Sequence, residues 1–185
     1  MPTAQREEDI YQLKNITQLK DSCIELINQA SNSLLADVEP GALEMLRQPL
    51  LDAVSRGVEV MVKLYEPADL PGVKIILRQQ GQQVYDKTAD RHVSVCSDGR
   101  AMIVAVTTAD MQHVIQAFKT QSPLMSLTVY NKLVYEFVLT QLNQVIPTGD
   151  IDKAQSILKE TEHLHPFSSE NAIFSHFKQS YESQR

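Results

Sequence analysis

Arg56-Gly57-Val58-Glu59-Val60-Met61-Val62-Lys63-Leu64-Tyr65 is the stretch that decides the fold class. From Val58 to Tyr65 it is rich in β-branched and apolar residues, which reads as a strand. Arg56 and Gly57 read as the end of a helix. A cation there meets the negative end of the helix dipole, and a glycine accepts the left-handed turn. Upstream, Leu43, Leu46, Leu50 and Val54 form the inner stripe of that helix, expected over about 41–56, with Pro49 kinking it by removing a ladder hydrogen bond. Glu39-Pro40-Gly41 is a loop signal after the short apolar stretch Ser33 to Val38. Before it, Ile16, Leu19, Cys23, Leu26, Ile27 and Ala30 recur every three or four positions, one face of a helix over about 15–31. Ile10 to Leu13 reads as a first short strand. Strand, helix, strand, helix, strand implies a sheet with parallel neighbours and right-handed crossovers.

Downstream the texture changes. After the loop from Glu66 to Gly72, Val73–Arg78, Gln83–Tyr85, Val93–Cys96, Ala101–Val106 and Val114–Lys119 all read as short strands with tight connections. A run of strands after βαβ units predicts a mixed sheet with an antiparallel part and helices on both faces. A long helix is expected over 122–145, started by Ser122-Pro123, with Leu127, Tyr130, Val134, Phe137, Gln141 and Val145 facing inward. Asn131 and Lys132 on that helix read as solvated. Three regions result: a loose N-terminus or linker remnant at 1–9, an α/β domain over 10–146, and a polar appendage over 147–185. That appendage carries two weak helices, Ile151–Glu162 and Ser169–Tyr181, and is expected to pack lightly.

Composition narrows the function classes. The 185 residues are 43 % hydrophobic, enough for a core without disulfide or metal. The formal net charge of −6 is a poor basis for a nucleic-acid surface, which needs a basic face to displace counterions from phosphates. Cys23 and Cys96 form no ligand cluster and read as buried apolar residues of a reducing compartment. The polar start from Met1 to Asp9 is no signal peptide, and no apolar run reaches the ~20 residues of a spanning helix. The expected compartment is the cytoplasm. His163 and His165 lack a third ligand nearby, and no metal or cofactor is expected.

Chemistry concentrates in Asp90-Arg91-His92-Val93-Ser94-Val95-Cys96-Ser97-Asp98-Gly99-Arg100. On a strand, His92, Ser94 and Cys96 share one face. Asp98-Gly99 is a hairpin signal, so Asp98 is expected to serve the turn. Glu39 and Tyr65 follow apolar strands, and open α/β sheets bind ligands beyond the carboxyl ends of their strands. His92, Ser94, Glu39 and Tyr65 are therefore the candidate ligand-binding residues, with none assigned to catalysis.

The segment resembles the H-x-K-x-x-x-x-D motif of phospholipase-D-type enzymes. There the histidine attacks phosphorus, the lysine holds a phosphate oxygen, and the aspartate supports the partner site's histidine. His92 fits the first position, but Ser94 stands at the lysine position and Gly99 at the aspartate position, with Asp98 one residue early. Serine supplies no positive charge to a developing phosphorane. The motif also occurs once, whereas the enzyme site needs two copies.

Across residues 10 to 145 the chain resembles the phospholipase-D-like effector domain of TrmB-type transcription regulators. The resemblance rests on Ile10-Tyr11-Gln12-Leu13-Lys14-Asn15, Arg56-Gly57-Val58-Glu59-Val60, the Asp98-Gly99-Arg100 turn and Gln116-Ala117-Phe118-Lys119-Thr120-Gln121-Ser122-Pro123-Leu124. It implies a phospholipase-D-like fold without a working active site. It also implies a homodimer that senses a small molecule, a sugar or phosphorylated metabolite, and signals through the 15–31 or 122–145 helix. DNA would be bound only through a winged helix; nine residues precede residue 10, so an excised domain or a stand-alone relative is expected. Two rivals stand beside this reading: a single-motif phosphodiesterase dimer built on paired His92 residues, and a pure dimerisation module using the tail.

Overall fold

The strand read at Val58–Tyr65 is Glu59–Leu64, and it lies inside the sheet with five of its six residues buried. The computed structural model describes residues 10–85, 87–166, 168 and 171–182. The N-terminal segment 1–9 lies outside the described residues. The elements run β1 (Ile10–Gln12), α1 (Ile16–Gln29), β2 (Ser33–Val38), α2 (Leu43–Ser55), β3 (Glu59–Leu64), β4 (Lys74–Leu77), α3 (Gly81–Tyr85), β5 (Asp90–Ser97), β6 (Ala101–Thr108), β7 (Val114–Thr120), α4 (Pro123–Val145), α5 (Ile151–Thr161) and α6 (Ala172–Glu182). The strands form one sheet in the order β1-β7-β6-β5-β2-β3-β4. β2, β3 and β4 are parallel; β2–β5, β5–β6, β6–β7 and β1–β7 are antiparallel. The fold is the mixed α/β arrangement that the sequence predicts.

Helices cover both faces. On one, α1 and α2 bring Leu19, Cys23, Ile27, Leu46 and Leu50 against Leu34, Ala36, Val60, Val62, Val95 and Ile103. On the other, α4 brings Tyr130, Leu133 and Phe137 against Leu35, Met61, Ile76, Cys96 and Met102. α1 starts where Asn15 Oδ1 accepts from the Gln18 N–H at 2.9 Å, satisfying one of the orphan donors of the first turn. α2 runs through Pro49.

Two expectations change. Gln83–Tyr85 is not a strand but the end of the one-turn helix α3. Gly81 opens that helix against the Tyr65 backbone, so closely that an added Cβ would stand 2.2 Å from the Tyr65 carbonyl oxygen. The polar tail also packs more firmly than its composition suggests. Ile157, Thr161 and Leu164 are buried, and Asn171 Nδ2 donates to the Leu164 carbonyl at 2.9 Å.

Cys23 and Cys96 are free and fully buried, and burial pushes both thiols up to about 12. The thiolate is the reactive form, so at about pH 8 neither cysteine should react with a thiol reagent in the native protein. Both should react once the chain is unfolded in denaturant. A native-state titration of either thiol would show that α1 or α4 opens from the sheet.

Candidate functional site

The carboxyl ends of β2 and β3, where the sequence places the site, carry charge on the α4 face. Strand register sets Lys63, Asp37, Ser94, Val104 and Phe118 side by side across five strands. The next same-face position on β5 is His92, paired with Val106. α4 lies over the row and lowers Lys132 and Glu136, one turn apart, onto it. Glu136 Oε2 accepts from Lys63 Nζ at 2.8 Å, Lys63 lies 3.5 Å from Asp37 Oδ2, and Lys132 Nζ lies 3.7 Å from that same oxygen. The result is an alternating chain, Glu136–Lys63–Asp37–Lys132, that joins sheet to helix.

Burial orders these charges. The Lys63 side chain is 2 % exposed and that of Asp37 11 %, against 40 % for Glu136 and 50 % for Lys132. Desolvation by itself would lower the Lys63 ammonium. The Asp37 charge and the Glu136 hydrogen bond outweigh it, holding the group above the ordinary lysine value. The Lys63 hydrogen bond holds the Glu136 carboxyl below the ordinary glutamate value. Asp37 Oδ1 is buried, with no hydrogen-bond partner among the described residues.

Aromatic rings close the edge. Lys63 Nζ sits 5.0 Å from the centre of the Tyr65 ring, which meets Tyr85 edge-on at 5.0 Å, and Arg91 stacks over Tyr85 at 4.9 Å. Burial, reinforced by the Asp37 charge, pushes the Tyr65 phenol up to about 12. Glu39 Oε2 accepts from the His92 backbone N–H at 2.7 Å, and the Glu39 N–H donates to the His92 carbonyl at 3.3 Å. Burial raises the Glu39 carboxyl, with the His92 N–H pulling the other way.

The four residues read from the sequence thus lie around one region. Glu39 touches His92, Ser94 flanks Asp37, and Tyr65 covers Lys63. His92 is exposed, while Ser94 is buried and Cys96 lies wholly beneath α4. A shallow depression of about 150 Å³ borders His92, Ser94 and Gln116. The sequence reading missed Asp37, Lys63, Tyr85 and Glu136; Lys132, read as solvated, is exposed and also reaches Asp37 at 3.7 Å. Asn131, read the same way, has its Oδ1 buried without a hydrogen-bond partner among the described residues. Asp98 does more than serve its turn: its carboxylate accepts from the backbone N–H groups of Ser31, Asn32 and Ser33 at 2.9, 2.8 and 2.9 Å.

His163 bonds Glu59 at 3.0 Å, and His165 bonds the Tyr135 hydroxyl at 3.0 Å, so the two side chains serve different partners. Among the described residues no cluster of three or more metal-ligating side chains occurs. Nor is any helix among them long and apolar enough to cross a membrane.

The Glu136 bridge makes an acid-limb prediction. A carboxyl depressed in the folded state contributes stability that is present above the ordinary value of 4.5 and fades as pH falls through the folded value. Glu136→Gln should therefore flatten the loss of stability between about pH 6 and pH 3, measured as the urea midpoint at each pH. An unchanged acid limb would mean that Lys63 does not stabilise the Glu136 carboxylate.

Comparison with known proteins adds three findings. The family described as "Transcriptional regulator TrmB, EBD N-terminal subdomain" matches residues 9–122, more than half of the chain. No curated protein matches the sequence. Among solved structures, NucT from Helicobacter pylori superposes with a TM-score of 0.57 at 12 % identity, covering 72 % of this chain and 98 % of that one. TrmBL2, an archaeal chromatin protein described as showing a novel mode of DNA binding, gives 0.53 at 12 % identity, covering 73 % of this chain and 54 % of that one. This chain therefore spans about half the length of TrmBL2. Nuc from Salmonella typhimurium, a phospholipase D family member, gives 0.47 at 13 % identity, covering 66 % of this chain and 89 % of that one.

Proposed function

The chain belongs to the TrmB family of transcriptional regulators, and from that premise we propose that it is a non-catalytic, effector-sensing domain. In this reading a small molecule, a sugar or phosphorylated metabolite, binds near His92, Glu39 and Tyr65 and shifts the geometry of a homodimer. The shift alters DNA binding by a region outside this sequence. The observation that carries the loss of catalysis is the state of Lys63. It is the lysine in the same cross-strand row as Ser94, which stands at the motif's lysine position two strands away. Asp37 and Glu136 already compensate its charge, and α4 covers it. A cation so held is a weak source of field for a developing phosphorane. It is well suited to holding α4, and a ligand that competes for Lys63 or Lys132 would release the helix.

Coupling of this kind needs a ligand that prefers one arrangement of α4 over the other. The test is thermal unfolding of the chain with sugars, sugar phosphates and nucleotides, beside hydrolysis of bis(p-nitrophenyl) phosphate. A ligand at about 100 to 1,000 times its dissociation constant should add about 3–4 kcal/mol, lost in His92→Ala. No p-nitrophenol should appear. Its release by the wild type but not by His92→Ala would establish the phosphodiesterase instead. Stabilisation without any change in dimer geometry by small-angle scattering would overturn the sensing mechanism.

A further inference from the structure

The opposite end of the sheet, where β2 begins and the β5–β6 hairpin turns, holds two adjoining cavities beneath α6. One is about 390 Å³ and the other about 290 Å³, and both are bordered by Asp98, Arg100 and His176. We propose that they form a binding site for a small oxyanion, a phosphate or carboxylate group on a polar metabolite, which clips α6 to the hairpin.

The charge balance there favours an anion. Arg100 is exposed, and among the described residues its side chain makes no hydrogen bond or ion pair. The carboxylate of the larger cavity is Asp98, whose two oxygens are occupied by three backbone N–H groups. In the smaller one Glu59 is engaged by His163 at 3.0 Å. Both carboxylates are thus hydrogen-bonded within the protein, while the guanidinium keeps its forked donors for a ligand. Guanidinium binds carboxylate and phosphate oxygens in pairs of parallel hydrogen bonds. Gln29 and Gln121 from the core add neutral amide donors around the larger cavity, whose wall also carries Ser31 and Ser180, their hydroxyls donating to the Gln29 and His176 carbonyls. Its volume falls in the range of small-molecule sites.

The roof explains why occupancy would have a mechanical effect. α6 is fixed at its start, where Asn171 holds the Leu164 carbonyl and Ile173 rests on Gly99. An added Cβ on Gly99 would come within 2.5 Å of Ile173 Cγ2. His176 and Ser180 lie further along the helix and line the same cavity as Arg100. An anion spanning Arg100 and these residues joins the later turns of α6 to the β5–β6 hairpin.

The test is a two-dimensional amide NMR titration of the chain with inorganic phosphate and, separately, with succinate, at ionic strength held constant with chloride. Saturable shifts are expected at Ser31, Arg100, His176 and Ser180, with slower hydrogen exchange in α6. Arg100→Gln should weaken the binding about 10- to 100-fold, the worth of charge-assisted hydrogen bonds. Saturation by phosphate alone names a phosphorylated ligand, by succinate alone a carboxylate, and by both a general oxyanion site. Failure of both to saturate, or equal affinity in Arg100→Gln, overturns the proposal. His92→Ala should leave this titration unchanged, so the outcome stands apart from that of the effector reading.

Discussion

Replacing Lys63 with methionine should lower the stability of the domain by about 3 kcal/mol, at the low end of what breaking a buried ion pair costs. Two carboxylates lose their cation at once, and they differ in what they can do next. Glu136 is 40 % exposed and can turn to solvent, which keeps the cost from the upper end of the range. Asp37 cannot. Its side chain is 11 % exposed, its Oδ1 already lacks a hydrogen-bond partner among the described residues, and the remaining cation, Lys132, is half-exposed and 3.7 Å away. The double variant Lys63→Met with Asp37→Leu removes both buried charges and should recover most of the loss, because an apolar pair of similar volume replaces the buried bridge. Urea denaturation at neutral pH measures both. A single variant within about 0.5 kcal/mol of wild type would place Lys63 in the class of ordinary surface pairs and remove the basis for its role in holding α4. The double variant also serves the functional reading: it should fold, yet no longer respond to a ligand that acts on Lys63.

That cluster shows what was legible in the sequence. Lys63 lies within Val60-Met61-Val62-Lys63-Leu64, and Asp37 between Ala36 and Val38. A charge inside the apolar run of a buried strand has to be paired, so both residues carried a signal that could have found them. Glu136 and Lys132 carried none. Their direction depends on how α4 is rotated over the sheet, a tertiary quantity that helical periodicity gives only for apolar positions. Of the inner face read as Leu127, Tyr130, Val134, Phe137, Gln141 and Val145, all but the half-buried Gln141 are buried, and Leu133 is buried with them.

The strand assignments succeeded where alternation was sustained and failed at Gln83–Tyr85. There, three residues with two strand formers could satisfy either period, and the packing of Gly81 on Tyr65 selected one helical turn. The cavities beneath α6 were beyond the sequence for a different reason. They exist because a tail with few apolar residues returns to the β5–β6 hairpin, and the contact that seats it joins Gly99 to Ile173 across the chain.

Asp98 separates local from tertiary information most clearly, and Asp98→Gly should cost about 2–4 kcal/mol, the loss of three hydrogen bonds to a charged acceptor partly exposed to water. As a turn residue alone, Asp98 would gain from this change. Its φ is +53°, a left-handed conformation that glycine adopts without a steric penalty. Glycine therefore keeps the hairpin and removes only the carboxylate that gathers the N–H groups of Ser31, Asn32 and Ser33. Those three residues form the entry to β2, whose strand body pairs with both β3 and β5. The Ser33 bond is the part-buried one and carries the largest share; Ser31 and Asn32 can turn to water. Asp98→Asn should fall between glycine and wild type, since an amide oxygen can still accept from two donors while its NH₂ faces the third. Asp98→Ala should be worst, losing the acceptors and adding left-handed strain. The order aspartate, asparagine, glycine, alanine in urea midpoints is the expected result. Glycine at or above wild type would mean that the carboxylate does no more than shape its own turn. In that case Asp98 would keep its charge uncompensated beside Arg100, and the case for an anion beneath α6 would weaken with it.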